Sequence, residues 1–210
     1  MTVDIPLFVA FVSFVVVASI TPGPNNLMVM ASGAAFGWRR SIPHIAGIAL
    51  GAIAMLVAVN FGLGAIFERI PMIALILRFA GAIWLAWLAW QLARPALFPA
   101  TDKEEVGTAS EAVSQPFTLL QAALFQWVNP KTWSIMIAIS SAYVDLAPTP
   151  TGRAVLMAGT FAVVAPVSNG AWLLAGQAIK RLLTGARTGR IALLTLALLV
   201  LVSAVLVAIG

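Results

Sequence analysis

Lys131 has the most chemistry to offer. It stands in Asn129-Pro130-Lys131, inside an apolar stretch where an ionisable side chain is costly and by default marks a functional site. Its ammonium can attract an anionic substrate group such as a carboxylate, or exchange a proton during a transport cycle. The structural alternative is that it snorkels to an interface or donates to carbonyls freed by Pro130. No Asp or Glu lies deep in any apolar stretch to be its fixed partner, which favours a transient one. A substrate carboxylate fits that description.

A second polar constellation lies far upstream, in Thr21-Pro22-Gly23-Pro24-Asn25-Asn26. Asn25, Asn26 and Asn129 each donate and accept, so they can read an amino acid's ammonium and carboxylate or cap an interrupted helix. Thr21, Pro22, Pro24 and Pro130 shape such a site rather than touch a ligand, and Gly23 lets backbone approach closely. His44, just after Pro43, is a candidate pH-responsive gate or a helix-start histidine bonded to a loop. Gln121, Gln126 and Asn169 are uncharged polar residues in apolar surroundings, suited to interhelical hydrogen bonds or to a ligand, and Gln126 and Asn169 are candidates for gating or coupling. Ser134 stands three residues after Lys131, on the same helix face, so the two could form a Ser-Lys nucleophile pair. No oxyanion glycine pattern or orienting carboxylate is near it in the chain.

These side chains must be held by a membrane scaffold. Of 210 residues, 61% are hydrophobic and only 9% charged, and the mean hydropathy is +1.02, values a soluble domain with a solvated surface does not reach. The net charge of +5 comes from basic residues between apolar spans, where they set orientation rather than bind nucleic acid. The absence of cysteine excludes disulfides and thiolate metal sites, and a single histidine argues against a multi-histidine centre. No cofactor is expected. Met1 to Pro6 carries no Lys or Arg, so the N-terminal apolar run reads as a retained first helix rather than a cleaved leader.

A spanning helix needs about 20 apolar residues, and six segments qualify: about 5–35, 42–66, 71–94, 117–144, 153–178 and 189–209. The first and fourth are broken, at Thr21–Asn26 and Asn129–Lys131, because proline lacks the amide donor and its ring clashes with the preceding turn. In lipid such a break survives only where protein, amide side chains or a water-filled cavity take the freed backbone bonds. Residues 95–116, with Pro95, Pro99, Asp102, Lys103, Glu104, Glu105, Glu111 and Pro116, form a polar linker between halves 1–94 and 117–210. The expected fold is therefore all-α, with six transmembrane helices as a 3+3 inverted repeat. The breaks fall about 16 and 13 residues into their segments, from opposite faces of the bilayer, so both approach the midplane. Arg39, Arg40, Arg94, Lys103, Lys180, Arg181, Arg187 and Arg190 mark the cytoplasmic side; Arg69 and Arg153 lie opposite, and Arg78 lies within the third span. Both termini then face outward. Trp84, Trp87 and Trp90 form a face for lipid or a second subunit, which leaves a homodimer open, and Gly33/Gly37 and Gly47/Gly51 have close-packing spacing.

The run Thr21 to Met28, continuing through Gly33, Gly37, Arg39, Pro43, His44, Gly47 and Ile48 to Gly51, resembles the signature of the LysE/RhtB amino acid exporters, and Asn129-Pro130-Lys131 resembles their second-half motif. The resemblance covers the whole chain. It implies a secondary exporter of amino acids or close derivatives, proton-coupled, in the bacterial inner membrane, with Pro22, Gly23, Pro24, Asn25, Asn129, Pro130 and Lys131 at the transport site. Many members carry an acidic residue after the glycine matching Gly51; here it is Ala52, which leaves coupling through that carboxylate open. Asn25-Asn26 and Gln126-Trp127-Val128 are similar to the branch handling neutral amino acids such as cysteine derivatives. Two other classes remain: an intramembrane Ser-Lys enzyme using Lys131 and Ser134, and a channel or exporter for other solutes. The shortage of buried carboxylates argues against metal cations.

Overall fold

The computed structural model describes residues 3–63, 69–98, 115–182 and 186–209. Most of the linker, residues 99–114 with its charged cluster, lies outside them. The described residues are helical throughout apart from short connections, and no strand occurs among them. Three stretches, Pro24–Leu63, Leu75–Arg94 and Pro150–Ile179, are long and apolar enough to cross a membrane; Ile5–Ile20, Leu119–Val128 and Ala197–Ile209 are shorter apolar helices.

Helix α1 (Ile5–Ile20) starts at Asp4, whose carboxylate accepts from the Leu7 amide at 2.9 Å, a satisfied N-cap. It stops where proline requires: Thr21, preceding Pro22, takes an extended ψ of 128°. Helix α2 (Pro24–Ala58) begins with Pro24 in its first turn, the position where a missing amide does no harm.

Within α2 lies a departure from the expected boundary. The polar run Trp38–Ser41 suggests a loop over about 36–41, yet only Gly37 leaves the helical region, with φ 78° and ψ −178°. Ser32 and Ser41 hydroxyls are 2.8 Å apart, whereas residues nine apart on a straight helix are separated by about 13.5 Å along the axis. The chain therefore turns back on itself at one glycine, which alone tolerates that backbone. Gly37 serves as a turn, not as a packing position.

Helix α3 (Pro71–Leu97) runs antiparallel in sequence order to α7 (Ala186–Ile209), against which it packs. Arg78 fixes one end of that contact by donating to the Val207 and Ala208 carbonyls at 2.9 and 2.8 Å, cations being favourable at a helix C-terminus. Helix α4 (Leu119–Val128) opens with a capping box in which Thr118 and Gln121 exchange side-chain and backbone bonds, so Gln121 is a cap rather than interhelical glue. Only Asn129 separates α4 from α5 (Pro130–Ala142), and α6 (Pro150–Leu182) follows a short 3₁₀ turn.

Glycines set the helix crossings. A Cβ on Gly33 would strike the Leu173 carbonyl of α6, and one on Gly176 would strike the Met30 carbonyl of α2. Gly47 and Gly51 stand in the same relation to Leu119 and Ala123 of α4. The first arm of α2 is thereby clamped to α6 and the second arm to α4. Close backbone approach matters here because lipid gives apolar helices no hydrophobic reason to associate. A buried cluster of Phe11, Val15, Met55, Leu56, Met136, Ile139, Met157 and Phe161 ties α1, α2, α5 and α6 together. A second, of Leu27, Met28, Leu85, Leu88, Phe125 and Val200, joins α2, α3, α4 and α7.

Candidate functional site

The two interruptions meet around a cavity of about 60 Å³ lined by Gly23, Asn25, Asn26, Gln126, Asn129, Lys131, Thr132 and Asn169, with Ile48, Ala52, Met136, Phe161 and Ala165 among its apolar walls. The lining comes from α1, α2, α4, α5 and α6 and from the interruptions themselves, so both halves of the sequence supply it.

Backbone accounting explains most of the polar contacts. The last carbonyls of α1 have no intrahelical donor. Asn26 supplies one, its amide nitrogen donating to Ser19 O at 3.0 Å and Thr21 O at 2.8 Å. Lys131 supplies the other: its ammonium donates to Thr21 O, and to Pro22 O at 3.3 Å. The lysine thus takes freed carbonyls, as the structural alternative expects, but those of the distant first break rather than those near Pro130. Its charge also suits the negative end of the α1 dipole.

Gly23 has an ordinary extended backbone, with φ −172°, so conformation does not require glycine there. Space does: a Cβ would lie 2.7 Å from Lys131 Cδ and 2.9 Å from Nζ. The close approach expected at Gly23 is that of the lysine side chain.

Asn25 and Gln126 form a reciprocal amide pair across the cavity, Asn25 Nδ2 donating to Gln126 Oε1 at 2.7 Å and Gln126 Nε2 to Asn25 Oδ1 at 3.1 Å. Gln126 Nε2 also reaches Ala122 O at 3.0 Å, and Thr132 donates to Gln126 Oε1 at 3.2 Å. Gln126 is wholly buried, and this network satisfies both ends of its amide. Thr132 was not among the expected site residues; its place one position after Lys131 is the only sequence signal for it.

Asn129 is buried and caps α5, its Oδ1 accepting from the Lys131 amide at 3.1 Å. The N-terminus of α2, by contrast, has no side-chain cap. Asn169 donates to Ala165 O at 2.8 Å, while its Oδ1 has no partner.

Not every expected residue lines the cavity. Thr21 and Pro22 contribute carbonyls, while Pro24 and Pro130 start the two helices. His44 lies elsewhere, buried and stacked on Phe117 with ring centroids 5.1 Å apart, neither ring nitrogen having a partner. Ser134 donates to Pro130 O at 3.0 Å rather than engaging Lys131. No cluster of three or more metal-ligating side chains occurs among the described residues.

The family model for the LysE type translocator matches residues 16–210. A cysteine/O-acetylserine efflux protein of Klebsiella pneumoniae is 31% identical over 179 residues, 84% of this chain and 85% of its own. Relatives of the same description in Escherichia coli O139:H28 and K12 are 28% identical over 202 residues, covering 95% of this chain and 96% of theirs. No solved structure matches the chain. A paired-break cavity in an apolar helical scaffold, a family match over nearly the whole length and efflux proteins as relatives agree: the chain belongs to the LysE type translocator family and is a membrane transporter rather than an enzyme.

Proposed function

We propose that the protein exports small neutral α-amino acids or close derivatives from the cytoplasm, by alternating access around the cavity between its two breaks. The observation that carries the reading is Lys131, the only ionisable side chain among the described residues that line the cavity. It is held by backbone carbonyls of the other half, with no carboxylate bonded to it among the described residues. Such a cation is available to a substrate carboxylate. The remaining polar lining is amide and hydroxyl, which suits a neutral side chain, as does the description of its relatives as cysteine/O-acetylserine efflux proteins.

The same reading takes residues 1–94 and 117–210 as inverted three-span repeats in the inner membrane, with both termini outward. What supports the repeat is reciprocal packing: α1 and the first arm of α2 lie against α6, and α4 lies against the second arm of α2. Each interrupted span is thus braced by the middle span of the other half. The Trp84, Trp87 and Trp90 face, 39%, 51% and 51% exposed, is assigned to lipid. Export is proton-coupled in this scheme, with Lys131 as the exchanging group, since Ala52 is not acidic and no carboxylate lines the cavity among the described residues.

Counterflow in proteoliposomes against a panel of amino acids at several pH values tests the reading. Exchange of small neutral amino acids is expected, driven by an imposed pH gradient and lost on Lys131→Ala with membrane insertion retained. Exchange unchanged in that variant would refute the assignment.

A further inference from the structure

Two features of the cavity are complementary in polarity. At the N-terminus of α2, Pro24 has no amide hydrogen, and the first-turn amides of Asn25 and Asn26 have no intrahelical acceptor. No side chain caps them. Lys131 passes directly over Gly23, the residue before this helix start. Donors, a positive helix end and an ammonium therefore converge on one region, a combination that binds anions.

On α6, Asn169 offers the opposite. Ala165 O can only accept, so the Asn169 amide nitrogen must be the atom facing it at 2.8 Å. That fixes Oδ1 as the end turned away, and it has no donor although Asn169 is only 5% exposed and lines the cavity. The neighbouring donors are engaged: Asn26 Nδ2 on α1 carbonyls, Lys131 on Thr21 and Pro22, and Asn25 and Gln126 on each other. A buried acceptor left unmade is costly, and the donor it lacks can arrive with the ligand.

We propose that Asn169 receives the substrate's α-ammonium, so that the zwitterion lies with its carboxylate at the α2 N-terminus and Lys131 and its amino group at α6. This rests on the amino acid export reading and gives the substrate a direction within the site. The side chain is then left to Ile48, Ala52, Met136 and Phe161, a small apolar wall. Acids lacking the α-amino group leave Asn169 unsatisfied and are rejected.

The test uses the full chain in proteoliposomes with L-cysteine and 3-mercaptopropionate, which differ only in the α-amino group. The wild type is expected to prefer L-cysteine by at least about tenfold, as sites built to hydrogen-bond a group reject analogues lacking it. Asn169→Leu and Asn169→Ala should each bring that ratio to within about twofold, while Asn169→Asp, which keeps an acceptor, restores the preference. The ratio does not depend on how much folded transporter each preparation contains. A structural role alone would lower exchange of both compounds and leave the ratio intact, which would overturn the proposal while leaving amino acid export standing. A wild type that exchanges no member of the amino acid panel would overturn the export reading and this inference with it.

Discussion

The two helix interruptions arise from the same chemistry and are finished differently. Between α4 and α5 a single residue intervenes, and Asn129 closes the gap itself by capping α5 with its own side chain. Between α1 and α2 three residues intervene, the following helix starts uncapped, and the loose carbonyls of Thr21 and Pro22 are held by Lys131 from the other half. The second break caps itself; the first is closed partly by Asn26, which holds the Ser19 and Thr21 carbonyls, and partly by Lys131 from the other half. In the proposed alternating-access cycle, a site that must open and close is drawn from the less stable parts of a structure, and the uncapped first break is the part expected to move.

That contrast can be broken most severely at Gln126, the residue through which the second half grips Asn25. Gln126→Leu leaves Asn25 and Thr132 without their partner. An unmet buried polar group costs about 1–3 kcal/mol, so a marked fall in thermal unfolding temperature in detergent is expected, together with loss of amino acid exchange. Asn129 gives a smaller effect. Asn129→Ala removes the cap of α5 at a cost of about 1 kcal/mol. Asn129→Asp keeps the cap and introduces a carboxylate into the cavity that Lys131 lines, where the described lining residues have none. Unfolding temperature should then stay near wild type while counterflow falls severalfold. Wild-type counterflow in Asn129→Asp would mean that Lys131 need not be free.

How much of this could be read from the sequence depends on whether the cause is local. Proline's missing donor acts within one turn, so Pro22, Pro24 and Pro130 disclose where helices stop. Gly37 discloses less, because a missing Cβ serves equally for packing, as at Gly33, and for a positive φ; the choice is made by neighbouring helices. The exposed basic residues after Gly37 look like a loop, yet one glycine makes the whole turn. Thr118 and Gln121 did carry a local signal, the capping-box spacing, although polarity within an apolar run suggested interhelical bonding. The pairing of Asn25 with Gln126, 101 positions apart, has no local cause. An amide gives no sign in its own neighbourhood of which partner the fold will bring, so most of the cavity's polar lining, though not Thr132, could be named from the sequence and its partners could not.

The smallest effect on the fold, and the sharpest test of the contrast, lies at Gly23. Its extended backbone is open to any residue, so Gly23→Ala costs little conformationally; the atoms nearest the added methyl belong to the flexible end of Lys131. The fold should survive with an unfolding temperature within a few degrees of wild type, while the ammonium is pushed off the Thr21 and Pro22 carbonyls and counterflow drops severalfold. A double-mutant cycle then separates the two explanations for glycine at this position. If Gly23 exists to let Lys131 pass, adding Gly23→Ala to a Lys131→Ala background should have no further effect on stability, because the methyl now enters vacated space. If Gly23 were needed for the turn itself, its substitution would cost the same in both backgrounds, and the first break would depend on its own backbone rather than on the lysine from the second half.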